Sequence, residues 1–176
     1  MIKIGISRRI KVDRVFYDQK FLLEDVVVEE NVVIDFPNDA TSITNVEVTV
    51  DIIECDLDMT DDTVDIQFDI IKILTFNTGD ETEFSFSPLK QNIPLPKLKE
   101  TYIPTKYEDR LTCQVYDFTP YDTFSYTPPS NPGGTGTISD TVDVEMTIKI
   151  TAEDQMIVGL SSGKSKTVSV TPQLPT

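Results

Sequence analysis

Histidine and tryptophan are missing from this chain of 176 residues, and cysteine occurs only twice. Without histidine, the chain lacks the commonest general base and the commonest ligand of transition metals. A serine or cysteine nucleophile would need another base, and the sequence nominates none. Glycine-rich loops that cradle phosphate are also missing, because the GGTG stretch has no Lys-Ser or Lys-Thr after it. These absences predict a protein that is not an enzyme and that needs no cofactor.

Long apolar runs and positive charge are scarce as well. No stretch approaches the run of about eighteen apolar residues that a membrane span needs, so we expect no span. The N-terminus MIKIGISRRIKV lacks the apolar core of a secretory signal, which predicts synthesis in a cytoplasm without a signal peptide. Asp and Glu number 30 against 15 Lys and Arg, a net charge of −15. This balance disfavours nucleic acid as a partner, because phosphate binding needs a basic surface.

The two cysteines, Cys55 and Cys113, are too far apart in sequence for a zinc knuckle and lack the companion ligands that one needs. Three states remain open for them: two buried thiols, one disulfide, or links between subunits. Buried thiols are the simplest of the three, because free cysteine behaves as a small hydrophobic residue.

Alternation of apolar and polar residues with period two dominates the chain. It is clearest in residues 46–52, 64–70 and 142–150. Successive side chains of a strand point to opposite faces, so each of these segments buries one face and exposes the other. No stretch carries an apolar stripe of helical period. The pattern predicts an all-β chain that folds as an antiparallel β-sandwich.

The alternation slips by one residue in two places, at Ile52 and Ile53 and again at Ile70 and Ile71. A one-residue slip exchanges the two faces of a strand, so a bulge or a change of sheet is expected at each place.

The chain is long enough for one ordinary domain. We expect a basic N-terminal arm or first strand over residues 1–14, a single sandwich domain over 15–171, and a short tail over 172–176. Residues 88–104 carry four prolines and cannot form a central strand, since proline donates nothing to a sheet ladder. They are predicted to be an extended crossover that could join two halves, 15–87 and 105–171.

Charge is distributed unevenly along the sequence. Residues 1–23 hold six Lys or Arg against two Asp, whereas residues 24–81 hold seventeen Asp or Glu and one Lys. This asymmetry predicts electrostatic pairing, either inside the fold or between copies. A basic arm could dock on acidic strands of its own subunit or of a neighbour, because a sheet edge accepts an added strand. The arm residues with this expected role are Arg8, Arg9, Lys11 and Arg14.

An aromatic segment, VYDFTPYDTFSYTPP, covers residues 115–129. Tyrosine-rich surfaces suit contacts between proteins, because the rings give a large area at low entropic cost. The alternative is that alternate rings pack inside the sandwich while the others line its rim. The candidate contact residues in this segment are Tyr121, Phe124 and Tyr126.

The stretch DLDMTDD places four carboxylates within seven residues. Calcium binds six to eight oxygens in flexible, carboxylate-rich loops, so a calcium site is chemically feasible here. The spacing is not that of an EF-hand, and a solvated hairpin loop is the simpler interpretation. The residues concerned are Asp56, Asp58, Asp61 and Asp62.

The sequence contains one near-repeat: the segment TVDIQFDIIKI starts at Thr63 and the similar segment TVDVEMTIKI starts at Thr141. The near-repeat is explained either by two equivalent strands of one sandwich or by two related halves. The first copy, with its surroundings over residues 46–76 and the preceding VVIDFP, resembles the closing hairpin of the SPOCS domain, a β-rich module of spore-coat and spore-cortex-associated proteins. The resemblance implies a structural protein laid down on a spore, and it carries over no catalytic residues.

Missing catalytic chemistry, many strands and oppositely charged segments together predict a structural subunit that assembles with copies of itself, and with other coat or surface-layer proteins as possible partners. Such a subunit would be laid down on a spore or particle surface, in a spore coat, an exosporium or an appendage filament. Two alternatives stay open. One is a monomeric β-sandwich module that binds a ligand or a cation, and the other is a virion or tail protein of a phage.

Overall fold

The computed structural model describes residues 6–98, 100–160 and 169–171. Within them the strands form two antiparallel sheets. The first sheet has the order β1-β6-β5, with the short β7 paired to β6, and the second has the order β2-β3-β4. The predicted all-β, antiparallel β-sandwich is confirmed. Its elements are β1 (Ile6–Asp35), β2 (Ile43–Asp58), β3 (Thr63–Phe76), β4 (Glu81–Pro94), α1 (Thr105–Glu108), β5 (Leu111–Thr127), β6 (Thr135–Leu160) and β7 (Ser169–Thr171).

The main core lies between the inner faces of the two central strands, β3 and β6. Every second side chain of each strand points inward, and these side chains are mostly apolar. The inward rows of β3 and β6 meet between the sheets. The near-repeated phrases are therefore the central strands of opposing sheets, which supports their explanation as equivalent strands of one sandwich. The buried residues they supply are Val64, Ile66, Phe68 and Ile70 from β3, and Val142, Val144, Met146, Ile148 and Ile150 from β6.

β1 is a single strand of 30 residues, whereas the sequence pattern predicts shorter strands over about 2–6, 9–17 and 20–36. Its pairing with β6 shifts register in three places, so the strand is long but irregular. Two of the shifts contain Asp25 and Asn31, whose φ angles are +54° and +52°. Asp and Asn tolerate this left-handed conformation better than other non-glycine residues. Their backbone N–H groups donate to Asp143 Oδ1 at 2.8 Å and to Ser139 Oγ at 3.0 Å.

Of the two predicted phase slips, one is correct and one is wrong. A register shift between Ile52 and Glu54 marks the expected bulge in β2. In β3, by contrast, the alternation continues without a break, so Ile71 stays on the outer face and Lys72 points inward. The prediction failed because the adjacent Ile70 and Ile71 were interpreted as a break in the alternation, whereas Ile71 lies on the outer face. The register shift nearby, between Phe68 and Ile70, comes from an extra residue in β4.

The proline-rich stretch is divided between two structures. Its first part, up to Pro94, belongs to β4, so the crossover begins at Leu95 rather than at Pro88. β4 pairs on one side only, and a proline without an N–H group is tolerated on an edge strand. The crossover is anchored by Leu95 and Leu98, which are both buried. β1, in the first of the proposed halves 15–87 and 105–171, pairs along its length with β6, in the second.

A disulfide between Cys55 and Cys113 joins β2 of the second sheet to β5 of the first. The two Cα atoms are 5.6 Å apart, within the range that a disulfide spans. Among the three states left open by the sequence, the structure therefore has the single intrachain disulfide. It ties the two sheets together along one side of the sandwich.

Residues 6–14 of the predicted basic arm, 1–14, form the first third of β1 and pair with β6 of the same chain. The rest of the arm, 1–5, and the predicted tail, 172–176, lie outside the described residues. Residues 6–14 lie opposite residues 152–160, and β5 ends its pairing with β6 at Ala152. Past that point β6 is flanked by β1 on one side and by the short β7 on the other. We call the paired residues 6–14 of β1 and 152–160 of β6, which extend beyond β5, the ribbon.

Candidate functional site: a buried lysine between two aspartates

Lys72 is the most unusual residue of the core. Its side chain is 1% exposed, although it carries an ammonium group and stands between Ile70 and Leu74 in an otherwise apolar inward row of β3. The Nζ atom lies 2.8 Å from Asp122 Oδ1 and also contacts Asp140 Oδ2. The side chain of Asp140 is fully buried, and that of Asp122 is 19% exposed. One cation and two carboxylates therefore meet inside the sandwich.

The two sheets supply these groups from opposite sides. Lys72 projects from β3, the central strand of the second sheet, while Asp140 projects from β6, the central strand of the first. Asp122 comes from β5, where it is opposite Val142, the inward residue that follows Asp140 on the same face of β6. The two aspartates are thus diagonal neighbours on one inner face, at the cross-strand spacing where side chains interact.

Apolar side chains close the site. The Phe124 ring lies with its centroid 5.6 Å from Lys72 Nζ, and Phe124 also faces Tyr126 at 6.1 Å between centroids. Phe36 and Phe76 pack edge to face at 5.0 Å in the same cluster. The buried members of this second core are Ile34, Phe36, Ala40, Leu74, Phe76 and Ile138.

Glycine at position 136 lets Phe36 approach the sheet. A Cβ atom at Gly136 would lie 2.6 Å from Phe36 Cε2 and 2.6 Å from the carbonyl oxygen of Thr127. No side chain fits between a ring and a backbone at that distance. This close approach places the Phe36 ring against Phe76 and Tyr126.

The electrostatic balance of the site is uneven. Two carboxylates and one ammonium leave a net negative charge when all three are ionised. Asp140 Oδ1 is buried and has no hydrogen-bond partner among the described residues. Removing ions from water is costly, and attraction offsets that cost only where hydrogen bonds satisfy the remaining atoms. An arrangement that leaves one carboxylate oxygen without a donor points to a role beyond packing.

Sequence reasoning did not single out these residues, although one signal was available. Lys72 is the only cation within residues 24–81, and it falls on the inward parity if the alternation of β3 is continued. Asp122 and Asp140 are 50 and 68 residues away from it, so nothing local connects the three.

The predicted arm residues are placed along the first part of β1. Lys11 Nζ pairs with Glu153 of β6 at 2.8 Å, and the Arg14 guanidinium lies 5.5 Å from the centroids of Phe16 and Tyr107. The backbones of Arg8 and Arg9 lie opposite Val158 and Ile157. In the isolated chain, the strand segment that carries these basic residues is thus paired with its own β6.

A buried tyrosine anchors the base of the ribbon. Tyr107 of α1 is 1% exposed, and its hydroxyl donates to Asp154 Oδ2 at 2.5 Å. This hydrogen bond lowers the pKa of Asp154, because it stabilises the carboxylate form. The contact fixes α1 against β6 where β5 begins.

The predicted aromatic contact residues are divided between the inside and the outside. Tyr121 is 50% exposed, and its hydroxyl lies 3.4 Å from Glu145 Oε1. Phe124 and Tyr126 are half-buried and pack with the second core. Both rings therefore pack inward, whereas Tyr121 and, earlier in the segment, Phe118 at 40% exposure present rings to solvent.

The aspartate-rich loop forms the β2–β3 turn. Asp58 Oδ1 accepts hydrogen bonds from the backbone N–H groups of Thr60 at 2.7 Å and Asp61 at 3.3 Å. These bonds, the one from Thr60 first, lower the pKa of Asp58. Asp56 remains in β2, and Asp62 adopts a left-handed φ of +54°. Over the described residues, no group of three or more potential ligands is arranged to hold a metal ion.

A shallow cavity of about 430 Å³ lies beside the disulfide. Ile52, Ile53, Tyr116 and Lys149 contribute to its walls. On the outer face nearby, the Tyr116 hydroxyl donates to Asp18 Oδ1 at 2.6 Å, which raises the pKa of Tyr116 to about 12. The cavity carries no convergent set of polar groups that would define a small ligand.

The comparisons with known proteins give no family. No family model matches the chain, and no curated protein or solved structure matches it either. The described helix, α1, is four residues long, so no helix in the described ranges could span a membrane.

Proposed function

We propose that the protein is a structural subunit that assembles with copies of itself through the free edge of β1. The observation that carries this proposal is the position of β1 at the end of its sheet. It runs for 30 residues, and no strand in the described ranges pairs with its outer side. An edge strand offers a row of backbone donors and acceptors to another chain.

Charge along β1 favours a two-fold pairing of two such edges. The stretch 6–23 carries five Lys or Arg against two Asp, whereas 24–35 carries five Asp or Glu and no cation. An antiparallel pair related by a two-fold axis sets the N-terminal half of one strand against the C-terminal half of the other. Each basic half would then face an acidic half. The predicted basic arm enters assembly as part of this edge strand.

Exposed apolar residues on β1 support the same surface. Leu22, Val28 and Val33 are between 52% and 67% exposed. Isolated apolar side chains on a surface need no explanation, but a row of them along an unpaired edge strand is typical of a contact between chains.

A charge-reversal pair tests the proposal. Glu24→Lys with Glu30→Lys puts like charges against the basic half of the partner strand and is expected to abolish assembly. Glu81→Lys with Glu83→Lys makes the same change of net charge at exposed positions on β4 and should leave assembly intact. Size-exclusion chromatography with negative-stain microscopy reads out both. If both variants assemble as the natural chain does, the β1 edge is not the contact.

The setting of such an assembly follows from the resemblance of residues 46–76 to the SPOCS domain. We place the subunit in a bacterial surface structure, either a spore coat, an exosporium or an appendage filament, where other coat proteins would be its neighbours. A phage virion or tail would use the same edge pairing. A natural chain that stays monomeric at every concentration would instead favour the monomeric binding module.

A further inference from the structure

The site at Lys72 holds the three groups that amide formation requires. A primary amine is in contact with one carboxyl group, that of Asp140, and a second carboxyl group, that of Asp122, lies 2.8 Å from the same nitrogen. A group at that distance is within reach for transferring a proton. The fold brings them together from three strands, so the reacting atoms are positioned without help from another molecule.

Burial prepares the amine and the carboxyl group for reaction. Removing water disfavours charged forms, so transfer of one proton from the ammonium to its carboxylate partner gives a neutral amine and a neutral carboxylic acid. The neutral amine is the nucleophile, and the neutral acid is the better acceptor. Lys72 at 1% exposure and Asp140 at 0% are the two most enclosed members of the site.

We propose that Lys72 and Asp140 become joined by an amide bond that the folded chain forms by itself. Lys72 Nζ attacks Cγ of Asp140, forming the N–C bond. The Asp122 carboxylate takes one proton from the nitrogen and delivers it to the departing hydroxyl. The C–O bond of that hydroxyl breaks, and one water leaves. Lysine amine and aspartic acid thus give an amide and water, and Asp122 is regenerated.

The surroundings assign the two aspartates to different roles. Asp140 Oδ1, which has no hydrogen-bond partner in the described part of the chain, becomes the neutral oxygen of an amide and no longer belongs to a buried ion. The side chain of Asp122 is 19% exposed, and Asp122 lies on β5 at the edge of its sheet, so water can leave on its side. The product buries one carboxylate that accepts a hydrogen bond from the new amide N–H, instead of three charges.

The bond would join the central strand of one sheet to the central strand of the other. Together with the disulfide between Cys55 and Cys113, it would tie the sheets at two places. The inference does not depend on the proposed assembly, because it concerns one chain alone.

Intact-mass spectrometry of the full chain, reduced and denatured, tests the bond. The expected mass is lower than the sequence mass by one water, about 18 Da, because amide formation from an amine and an acid releases one. Trypsin should also fail to cut after Lys72, since its side chain no longer carries a free amine. A chain at full mass that is cut after Lys72 would overturn the proposal.

Peptide mapping locates the bond. Uncut at Lys72, the peptide 21–90 should be joined to 111–149, which contains both aspartates. The disulfide joins the same two peptides, so reduction and alkylation must come first. Fragmentation that places the link on Asp140 supports the assignment, and a link on Asp122 overturns it. Loss of water by a cyclised aspartate would leave Lys72 cleavable and would also overturn it.

Two variants test the roles. Asp122→Asn keeps the size of the side chain but cannot accept the proton, so most of the chain should return to full mass while its circular dichroism stays that of a β-protein. Lys149→Arg changes the outward lysine of the near-repeat and should keep the loss of water. A linked Asp122→Asn chain, formed as completely as in the natural protein, would remove Asp122 from the mechanism.

Discussion

The two near-repeated strands differ most at their lysines. In β6 the phrase ends TIKI, and Lys149 points outward, with its Nζ 5.5 Å from the centroid of Tyr116. In β3 the phrase ends DIIKI, and the additional isoleucine moves Lys72 to the inner face. One residue of spacing thus decides whether a lysine is solvated or buried, because side chains alternate with period two. Lys72 can be buried because Asp122 of β5 and Asp140 of β6 lie beside its ammonium group.

The largest difference in stability is expected between a variant that lacks Lys72 and a variant that lacks Lys149. Lys72→Ala removes both the cation beside Asp140 and the amine of the proposed amide. It should lower the free energy of unfolding by at least about 3–5 kcal/mol, the cost of leaving a buried carboxylate without its partner. Lys149→Ala should change it by less than about 1 kcal/mol, because exposed charges contribute little. Urea denaturation followed by circular dichroism compares the two. Equal losses would mean that the two lysines occupy similar environments.

Removing the disulfide should have an intermediate effect. The neighbourhood of Lys149 is where Cys55 and Cys113 tie the sheets, whereas the neighbourhood of Lys72 is tied by charges. Cys55→Ala with Cys113→Ala should cost about 2–4 kcal/mol, chiefly because the unfolded chain gains freedom. Urea denaturation of the double variant and of the natural chain, done in parallel, measures this loss of stability. A stability unaffected by the change would show that the disulfide adds nothing to the tie between sheets.

The smallest effect is expected on the outer face, at Tyr116. Its hydrogen bond to Asp18 raises its pKa from the ordinary value near 10 to about 12. A group whose pKa is raised in the folded state stabilises the fold below its unfolded pKa and loses that contribution as pH rises through the folded one. Natural protein should therefore lose a little stability between about pH 10 and pH 12 that Tyr116→Phe does not lose. Thermal unfolding across that range, with Tyr121→Phe as control, would detect the difference.

The sequence was sufficient for the sandwich and for most of its core. Period-two alternation identified Val64, Ile66 and Phe68 as one inward row. It offered two equivalent strands of one sandwich as one of two explanations of the near-repeat. It did not predict the single long β1, because the shifts near Asp25 and Asn31 interrupt its pattern while hydrogen bonds from distant residues hold the strand together.

The candidate site could not be predicted from the sequence for a related reason. The adjacent Ile70 and Ile71 were interpreted as a break in the alternation of β3, and such a break would place Lys72 on the solvent side. Only the assembled sheets show that Asp122 and Asp140, far away in the chain, meet it inside. The cysteines were ambiguous in the same way, since their pairing depends on which strands border each other across the sandwich.

Amine reactivity in the native protein tests the inward placement of Lys72 most directly. Brief treatment of the folded chain with an acylating reagent, followed by peptide mapping, compares Lys72 with Lys149 and with the exposed Lys90 of β4. We expect Lys149 and Lys90 to be acylated while Lys72 remains unmodified. Acylation of Lys72 at the rate of Lys149, in protein that keeps its β-sheet spectrum, would contradict the account.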